Sequence, residues 1–389
     1  MSAVKSDTAA AQVLVSVDGK DWRDISSPLQ SVEIEDHDSL TDQAKLVLDD
    51  NTGLLAHASF EGLLIRVGLG YGSTTPLIFE GIITAARIIT QAEGLKVELT
   101  ANDFTFRMTK YTPKERSWKA GDTLSKAIEQ IVVDDKSHSP YGITVKQIQP
   151  PEDVSFSDEK PMSQLNISDW DFLKQKADLY NSKVFVEFDG IAKSNFYFVD
   201  IEVLASAKPI GELTCCRGAG DLISFSFEKI ASGALKDVTA SAVDFATGEA
   251  VTHEPAERPP KTPAPPPVTD GRNDITSGQR KAIDALAELS STAEKQIEAE
   301  KVQASDGTVN PDDAKAKIKP DPTRLLGYKG SGVTRGNTEL RAKSRVTITG
   351  ISPWAVGDWY LRKVNHKYSR TRIAQKFAST YSTTFEATR

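Results

Sequence analysis

The 389-residue sequence is poor in cysteine: it holds two, Cys215 and Cys216, side by side. An adjacent pair supplies neither a disulfide framework nor a zinc site, so both are read as reduced, structural thiols. Long apolar runs are also missing. The longest are strand-length, which excludes a membrane-spanning helix. The polar segment from Met1 to Gln12 lacks the apolar stretch of a secretion signal, so the sequence reads as that of a protein made and kept in a cytoplasm. Histidine is sparse. His37, His57, His138, His253 and His366 each stand apart, without a second ligand at i+2 or i+4.

Catalytic signatures are missing too. There is no Gly-x-Ser-x-Gly and no cysteine–histidine pairing signal. Gly68-x-Gly70-x-Gly72 follows a strand pattern, but Pro76 and another strand come next instead of the helix a phosphate needs, so it reads as a hairpin turn. Asp36-His37-Asp38 has the composition of a proton-transfer cluster. Neighbouring strand residues face opposite ways, however, and the triplet reads as a surface turn. Asp306, Asn310, Asp312 and Asp313 lack the glycine and terminal glutamate of a calcium loop. Among 54 acidic residues no carboxylate pair is singled out for glycoside hydrolysis. The sequence therefore predicts no catalytic, cofactor-binding or metal-binding residue, and no enzyme.

What is present is ordinary globular material, 39% hydrophobic and 26% charged, long enough for two to three domains. The net charge of -7 is unevenly spread. From Arg335 to Arg389, 11 Lys and Arg face Glu339, Asp358 and Glu386, giving +8 and leaving -15 for the rest. An acidic chain is a poor nucleic-acid binder. The basic end, with Arg362, Lys363, His366, Lys367, Tyr368, Arg370 and Arg372, suits an acidic protein neighbour or a solvated strand edge.

The first hundred residues alternate with period two. Gln12–Val17, Ser31–Glu35, Ala44–Leu48, Leu63–Leu69, Leu77–Ile89 and Leu95–Thr100 predict short strands of a small barrel or sandwich. Asp122 then caps a predicted helix with Leu124, Ala127, Ile128, Ile131 and Val132 on one face. Ser168 opens a second helix as Ser-x-x-Asp, with Trp170, Leu173, Ala177 and Tyr180 aligned. Strands Val184–Phe188 and Asn195–Val199 complete an α+β module. Trp118, Trp170, Trp354 and Trp359 read as core or interface anchors.

Strands resume at Leu213, Ile223–Phe227 and Val238–Asp244. The prolines from Pro255 to Pro267 predict a polyproline-type linker, and Ser277–Gln303 predicts a helix whose narrow apolar stripe makes it either peripheral or partnered. Strands return at Ser344–Thr349, Trp359–Lys367 and Tyr381–Thr388. A faint repeat links Arg66-Val67-Gly68-Leu69-Gly70 and Gly81-Ile82-Ile83-Thr84 to Arg345-Val346-Thr347-Ile348 and Gly357-Asp358-Trp359-Tyr360-Leu361. The fold class that follows is mainly β with an α+β insertion. Two similar small β-barrels flank an α+β module, and a Pro-rich, helical insertion interrupts the second. The expected divisions are 1–105, 106–212, 213–252 with 335–389, and 253–334 for the insertion.

Three segments carry a family likeness. Ser168-Asp169-Trp170-Asp171-Phe172-Leu173, with Tyr141-Gly142-Ile143 upstream, resembles an element of the late control protein D family of bacteriophage tail hubs. Gly357-Asp358-Trp359-Tyr360 and Val364-Asn365-His366-Lys367-Tyr368 resemble that family's closing strand pair. Asp49, Gly62, Val67-Gly68-Leu69-Gly70 and Phe79-Glu80-Gly81-Ile82-Ile83 are similar to its first barrel. The resemblance implies a structural baseplate hub of a contractile tail. Such a hub is a homotrimeric ring between the tail tube protein and the central spike protein, contacted by baseplate wedge proteins and free of membrane and of sequence-specific nucleic acid. Its implied location is the virion tail, after assembly in the host cytoplasm. A phage-derived injection device or tailocin hub is a close alternative; a cell-wall hydrolase and a carbohydrate-binding adhesin are rivals from other classes.

Overall fold

In the computed structural model the described residues are 8–92, 94–133, 139–156, 162–215, 220–229, 238–243, 250–253, 276–282, 284–286, 289, 302–303, 328–352, 355–373 and 376–389. The chain opens with β1 (Ala9–Ser16), β2 (Arg23–Asp24), β3 (Leu29–His37), β4 (Gln43–Asp50), β5 (Leu64–Tyr71), β6 (Leu77–Gln91) and β7 (Gly94–Asn102). A mixed module follows: α1 (Thr105–Lys110), β8 (Glu115–Trp118), α2 (Leu124–Val132), β9 (Thr144–Gln149), β10 (Met162–Leu165), α3 (Asp169–Leu179), β11 (Ser182–Phe188), β12 (Ser194–Asp200) and α4 (Ile201–Ser206). The remainder holds β13 (Glu212–Thr214), β14 (Leu222–Lys229), β15 (Val238–Val243), β16 (Ala250–His253), β17 (Val302–Gln303), β18 (Tyr328–Arg335), β19 (Arg345–Thr349), β20 (Gly357–Ile373) and β21 (Lys376–Thr388).

The fold is mainly β with an α+β insertion. Thirteen strands form one sheet in the order β14-β18-β21-β20-β3-β4-β7-β6-β5-β1-β2, with β13 and β19 branching from β20. Two cores lie on it. Val13, Val32, Ile34, Leu46, Ile65, Val67 and Leu99 fill the first; Val346, Ile348, Trp359, Leu361, Val364 and Phe385 fill the second. A third core, around Trp118, Trp170, Leu173, Ile128 and Phe196, belongs to the α+β module. The sequence separates the two β units, whereas the structure joins them edge to edge through β3 and β20.

The faint repeat is real, and the pairing registers define it. β3–β4, β4–β7, β5–β6 and β6–β7 reappear as β14–β18, β18–β21, β19–β20 and β20–β21. The irregularities recur at matching places. A bulge between Leu29 and Ser31 answers one between Leu222 and Ser224, and one between Ile83 and Ala85 answers one between Leu361 and Lys363. At the second of these the long strand leaves one partner and takes another, bending the sheet around its core. These registers place Gly81 with Trp359 and Leu64 with Arg345. The sequence alignment of Gly81 with Gly357 is therefore off by two residues, a slip that preserves the face because side chains alternate with period two.

The two units solve the same packing problem with opposite residue sizes. Val32 and Ile34 pair with Leu46 and Ala44, while their counterparts Phe225 and Phe227 pair with Gly332 and Gly330. A Cβ at Gly330 would lie 2.5 Å from the Phe225 ring, and one at Gly332 would overlap Phe385. Gly332→Val should overpack this core and cost about 1–3 kcal/mol. Urea unfolding checks this; an unchanged midpoint would mean that the Phe225 and Phe385 rings have room to move.

Other differences have local causes. Val17 lies beyond β1 and is 83% exposed, because the chain turns at Ser16–Gly19 under hydrogen bonds to Ser16 Oγ and Asp18. Thr123, not Asp122, caps α2; Asp122 accepts from the Lys119 N–H and the Lys126 ammonium. Within the predicted helix 277–303, residues 277–282, 284–286 and 289 are helical, with Leu286 and Leu289 exposed, but Val302 and Gln303 form β17 against β15. Tyr328–Arg335, expected within the insertion, is a main-sheet strand between β14 and β21. Trp354 and the Asp306–Asp313 cluster lie outside the described residues.

Candidate functional site

A buried polar cluster lies where the first unit, the second unit and the α+β module meet. Asp36 ends β3, Asp42 precedes β4, Asp103 follows β7, and Glu187 projects from β11. Lys343 enters from the loop between β18 and β19 with φ +66°, a left-handed conformation uncommon for lysine. Its ammonium donates to Asp36 Oδ1 at 2.6 Å and to the His37 carbonyl at 3.0 Å, and lies 3.2 Å from Glu187 Oε2 and 3.5 Å from Asp42 Oδ2. Ala342 N–H donates to the other Asp36 oxygen at 3.0 Å, so one carboxylate clamps the entire loop. Arg341 pairs with Glu187 at 3.1 Å.

Asp36, Asp42 and Glu187 converge as three carboxylates could around a cation. The Lys343 ammonium occupies the centre of that group, and the arrangement is a covalently tethered counterion. Asp36-His37-Asp38 is accordingly no surface turn: Asp36 and Asp38 are both buried. Their compensating cations, Lys343 for Asp36 and Lys183 with Arg362 for Asp38, come from distant parts of the chain. A local sequence pattern cannot reveal such partners.

Charge states follow from burial and neighbours. Burial opposes ionisation of Asp36, but Lys343 and Arg341 hold its carboxyl below the ordinary range. Burial, then the charge of Asp36, pushes Asp42 well up. Burial raises Asp103 to about 6. Burial opposes the charge of Lys343, but Asp36, Asp42 and Glu187 keep it firmly protonated. His366, enclosed at the seam between the units, is pushed down to about 4 by burial and then by Arg341. Its ring nitrogens meet Tyr381 Oη at 2.9 Å and the Leu340 carbonyl at 3.1 Å.

These shifts predict opposed pH dependences. His366 is neutral in the fold, so its contribution is present above pH 6.5 and lost as pH falls towards 4. Asp103 is protonated more readily folded than unfolded, so its contribution is present below pH 3.8 and lost as pH rises through 6. Each amounts to about 3 kcal/mol at full extent. Relative to the parent, Asp103→Asn should become increasingly destabilised on acidification from pH 6 to 4, and His366→Gln increasingly stabilised. Parallel stability curves for all three proteins would refute the assignment.

Other residues singled out in the sequence have packing and turn roles among the described residues. Gly68 and Gly70 let β5 approach the Thr74–Pro76 backbone, and Gly72 makes the turn at φ +61°. Trp118, Trp170 and Trp359 are buried, Trp118 stacking on Phe172 at 5.6 Å. The basic C-terminal strand finds its acidic neighbour within the chain: Lys363 pairs with Glu35 at 3.4 Å, and Lys367 stands opposite Glu33. Cys215 is a free, half-buried thiol.

Asp169, fully buried in the Ser168–Leu173 motif, escaped sequence reasoning about chemistry. It accepts from Arg116 at 3.0 Å, from Gln164 at 2.7 Å and from the Tyr141 hydroxyl. The two motif segments, Tyr141-Gly142 and Ser168–Leu173, are thus tied by one carboxylate. Arg107, Lys110, Tyr111, Arg116 and Tyr141 line a cleft of about 540 Å³ beside it, with Arg107 and Arg116 held by the Tyr141 carbonyl and by Asp169.

The chain matches the Alg8 N-terminal domain family over residues 7–370, a span that takes in the first β unit, the α+β module and the second unit up to β20. The chain belongs to the Alg8 N-terminal domain family. No curated protein sequence matches it. Solved structures extend the picture of this family member at the level of fold. The tail protein from Neisseria meningitidis MC58 is 12% identical, with a TM-score of 0.62 over 98% of this chain and 97% of that one. The 43 kDa tail protein of prophage MuSo2 from Shewanella oneidensis is 9% identical, with a TM-score of 0.61 over 98% of both chains. The E. coli c3393 protein, a component of the type VI secretion system with structural similarity to T4 bacteriophage tail proteins, is 10% identical. Its TM-score is 0.53 over 92% of this chain and 73% of that one. The Alg8 N-terminal domain chain thus has the fold of phage tail proteins.

Proposed function

We propose that this chain is a structural, non-enzymatic baseplate hub of a contractile tail or a related injection machine. Three copies form a ring that joins a six-fold tube to a three-fold spike, with wedge proteins outside. In this reading residues 1–105 form the first barrel and 106–212 the intervening module. The second barrel combines 213–229 and 328–389, whereas Val238–Val243 and Ala250–His253, expected in it from the sequence, pair with each other in a separate three-stranded sheet with Val302–Gln303. The observation that supports it most is the strand-by-strand repeat within one chain. A six-fold partner demands six like faces, and three subunits can offer them only if each carries two. The Lys343 junction, which fixes the two units against each other, has the role a rigid adaptor requires. The fold shared with phage tail proteins and a type VI secretion component agrees with both machines.

Light scattering and electron micrographs of the purified protein, alone and with tube and spike proteins, test the reading. Rings of three copies are expected. A strict monomer under all these conditions, or peptidoglycan cleavage abolished by a single Asp or Glu substitution, would overturn it.

A further inference from the structure

The internal repeat leaves two sheet edges without the partner that their counterparts have. Within the chain, β20 pairs with β3 over seven residue pairs, from Lys363 opposite His37 to Ser369 opposite Ser31. The counterpart of β20 is β6 and the counterpart of β3 is β14. Beyond its bulge at Ile83–Ala85, β6 pairs only with β7 among the described residues. Among the described residues β14 likewise pairs only with β18 and lies at the end of the sheet. Both edges expose apolar side chains, Ile88 at 53% and Ile223 at 61%. Unpaired edges of this kind are templates for another strand.

We infer that the outer edge of β6 in one copy takes the outer edge of β14 in a second copy as an antiparallel neighbour, repeating the β20–β3 junction between subunits. The inference rests on the ring reading and adds its register. The recurring bulges align Ala85 with Lys363 and Ser224 with Ser31. Carried across, Asn365 opposite Glu35 becomes Arg87 opposite Glu228, and His366 opposite Ile34 becomes Ile88 opposite Phe227. The transferred register thus places opposite charges and two apolar side chains face to face.

The in-chain junction also shows what such contact accomplishes. The outer halves of β20 and β21 carry Tyr368 and Tyr381 into the core of the first unit. Their counterparts near the tip of the β6–β7 hairpin are Thr90 and Leu95, opposite each other. In the ring that tip would lie against the second unit of the next copy. The contact is head-to-tail, so it can be repeated from copy to copy around a ring instead of stopping at an isologous dimer.

Disulfide trapping tests it. In a Cys215→Ser/Cys216→Ser background, Arg87→Cys in one chain is mixed with Glu228→Cys in another, and assembly is followed by light scattering before mild oxidation. Direct antiparallel neighbours are close enough to bridge. The expected result is a covalent dimer on non-reducing gels from the mixture, and from neither variant alone. With both substitutions in one chain, the expected result is a ladder ending at the ring. Arg87→Glu should raise the concentration needed for assembly at least ten-fold, and Glu228→Arg in the same chain should restore it. Rings without cross-linking, or stronger cross-linking of Arg87→Cys to Ser226→Cys, would overturn the inference and leave the hub reading standing. Absence of any assembly would overturn both.

Discussion

Lys343→Met should destabilise the protein by about 3–5 kcal/mol, because it removes the cation from a buried group of carboxylates and leaves the rest in place. Asp36 Oδ1, Asp42 Oδ2 and Glu187 Oε2 all lie within 3.5 Å of the lost ammonium. Methionine fills the volume without meeting the charge, so packing loss contributes little and the measured cost reports electrostatics. The carboxylates can relieve their repulsion by taking up protons. The variant should therefore recover stability on acidification more steeply than the parent. Neutralising the acceptors as well (Asp36→Asn, Asp42→Asn, Glu187→Gln) should restore part of the loss. Urea unfolding at pH 7 decides the matter; a loss under about 1 kcal/mol would mean that water or backbone dipoles already satisfy these carboxylates.

Trp170→Ala should cost about 3–5 kcal/mol through the cavity it opens in the core of the α+β module. Trp170 is buried in one cluster with Leu173, Ala177, Phe172 and Ile128. It also sits next to Asp169, whose three side-chain donors depend on α3 starting where it does. Ser168 fixes that start by accepting from the Asp171 N–H. The loss should therefore appear as local opening of α3 and β11 in hydrogen exchange before the β sheet is affected. A soluble variant with an unchanged melting temperature would show that the module tolerates the cavity by collapsing around it.

These two residues also mark what the sequence could and could not disclose. Trp170 was legible because its partners Leu173, Ala177 and Tyr180 recur at helical spacing and a capping serine precedes them. The strands were legible for the same local reason, since alternation such as Val32, Ile34 or Leu46, Leu48 needs no knowledge of the partner strand. Lys343 was not legible. It looks like any loop lysine, while Asp36 and Asp42 lie about 300 positions away in the chain and Glu187 in a different module. The burial of Asp36 and Asp38 was missed on identical grounds. The repeat was half-legible: its glycines and hydrophobics suggested kinship, but the true alignment depends on hydrogen-bond registers and bulges. Large-for-small exchanges such as Val32 for Phe225 against Leu46 for Gly332 erase it from the residues themselves.

The seam between β3 and β20 sets a timetable for the chain as it is synthesised. Glu33 and Asn365, hydrogen-bonded across it, are 332 positions apart. At about 5–20 residues per second, β3 waits roughly 15–70 s for its neighbour to leave the ribosome. During that interval one edge of the first unit is open, its core lacks Tyr368 and Tyr381, and Asp36 has no counterion. The first unit can collapse early but cannot be completed until β20 and β21 are made. The nascent protein is therefore most vulnerable to mispairing before β20 and β21 emerge, and chaperone occupancy should persist on ribosome-bound chains and drop once these strands are free to pair.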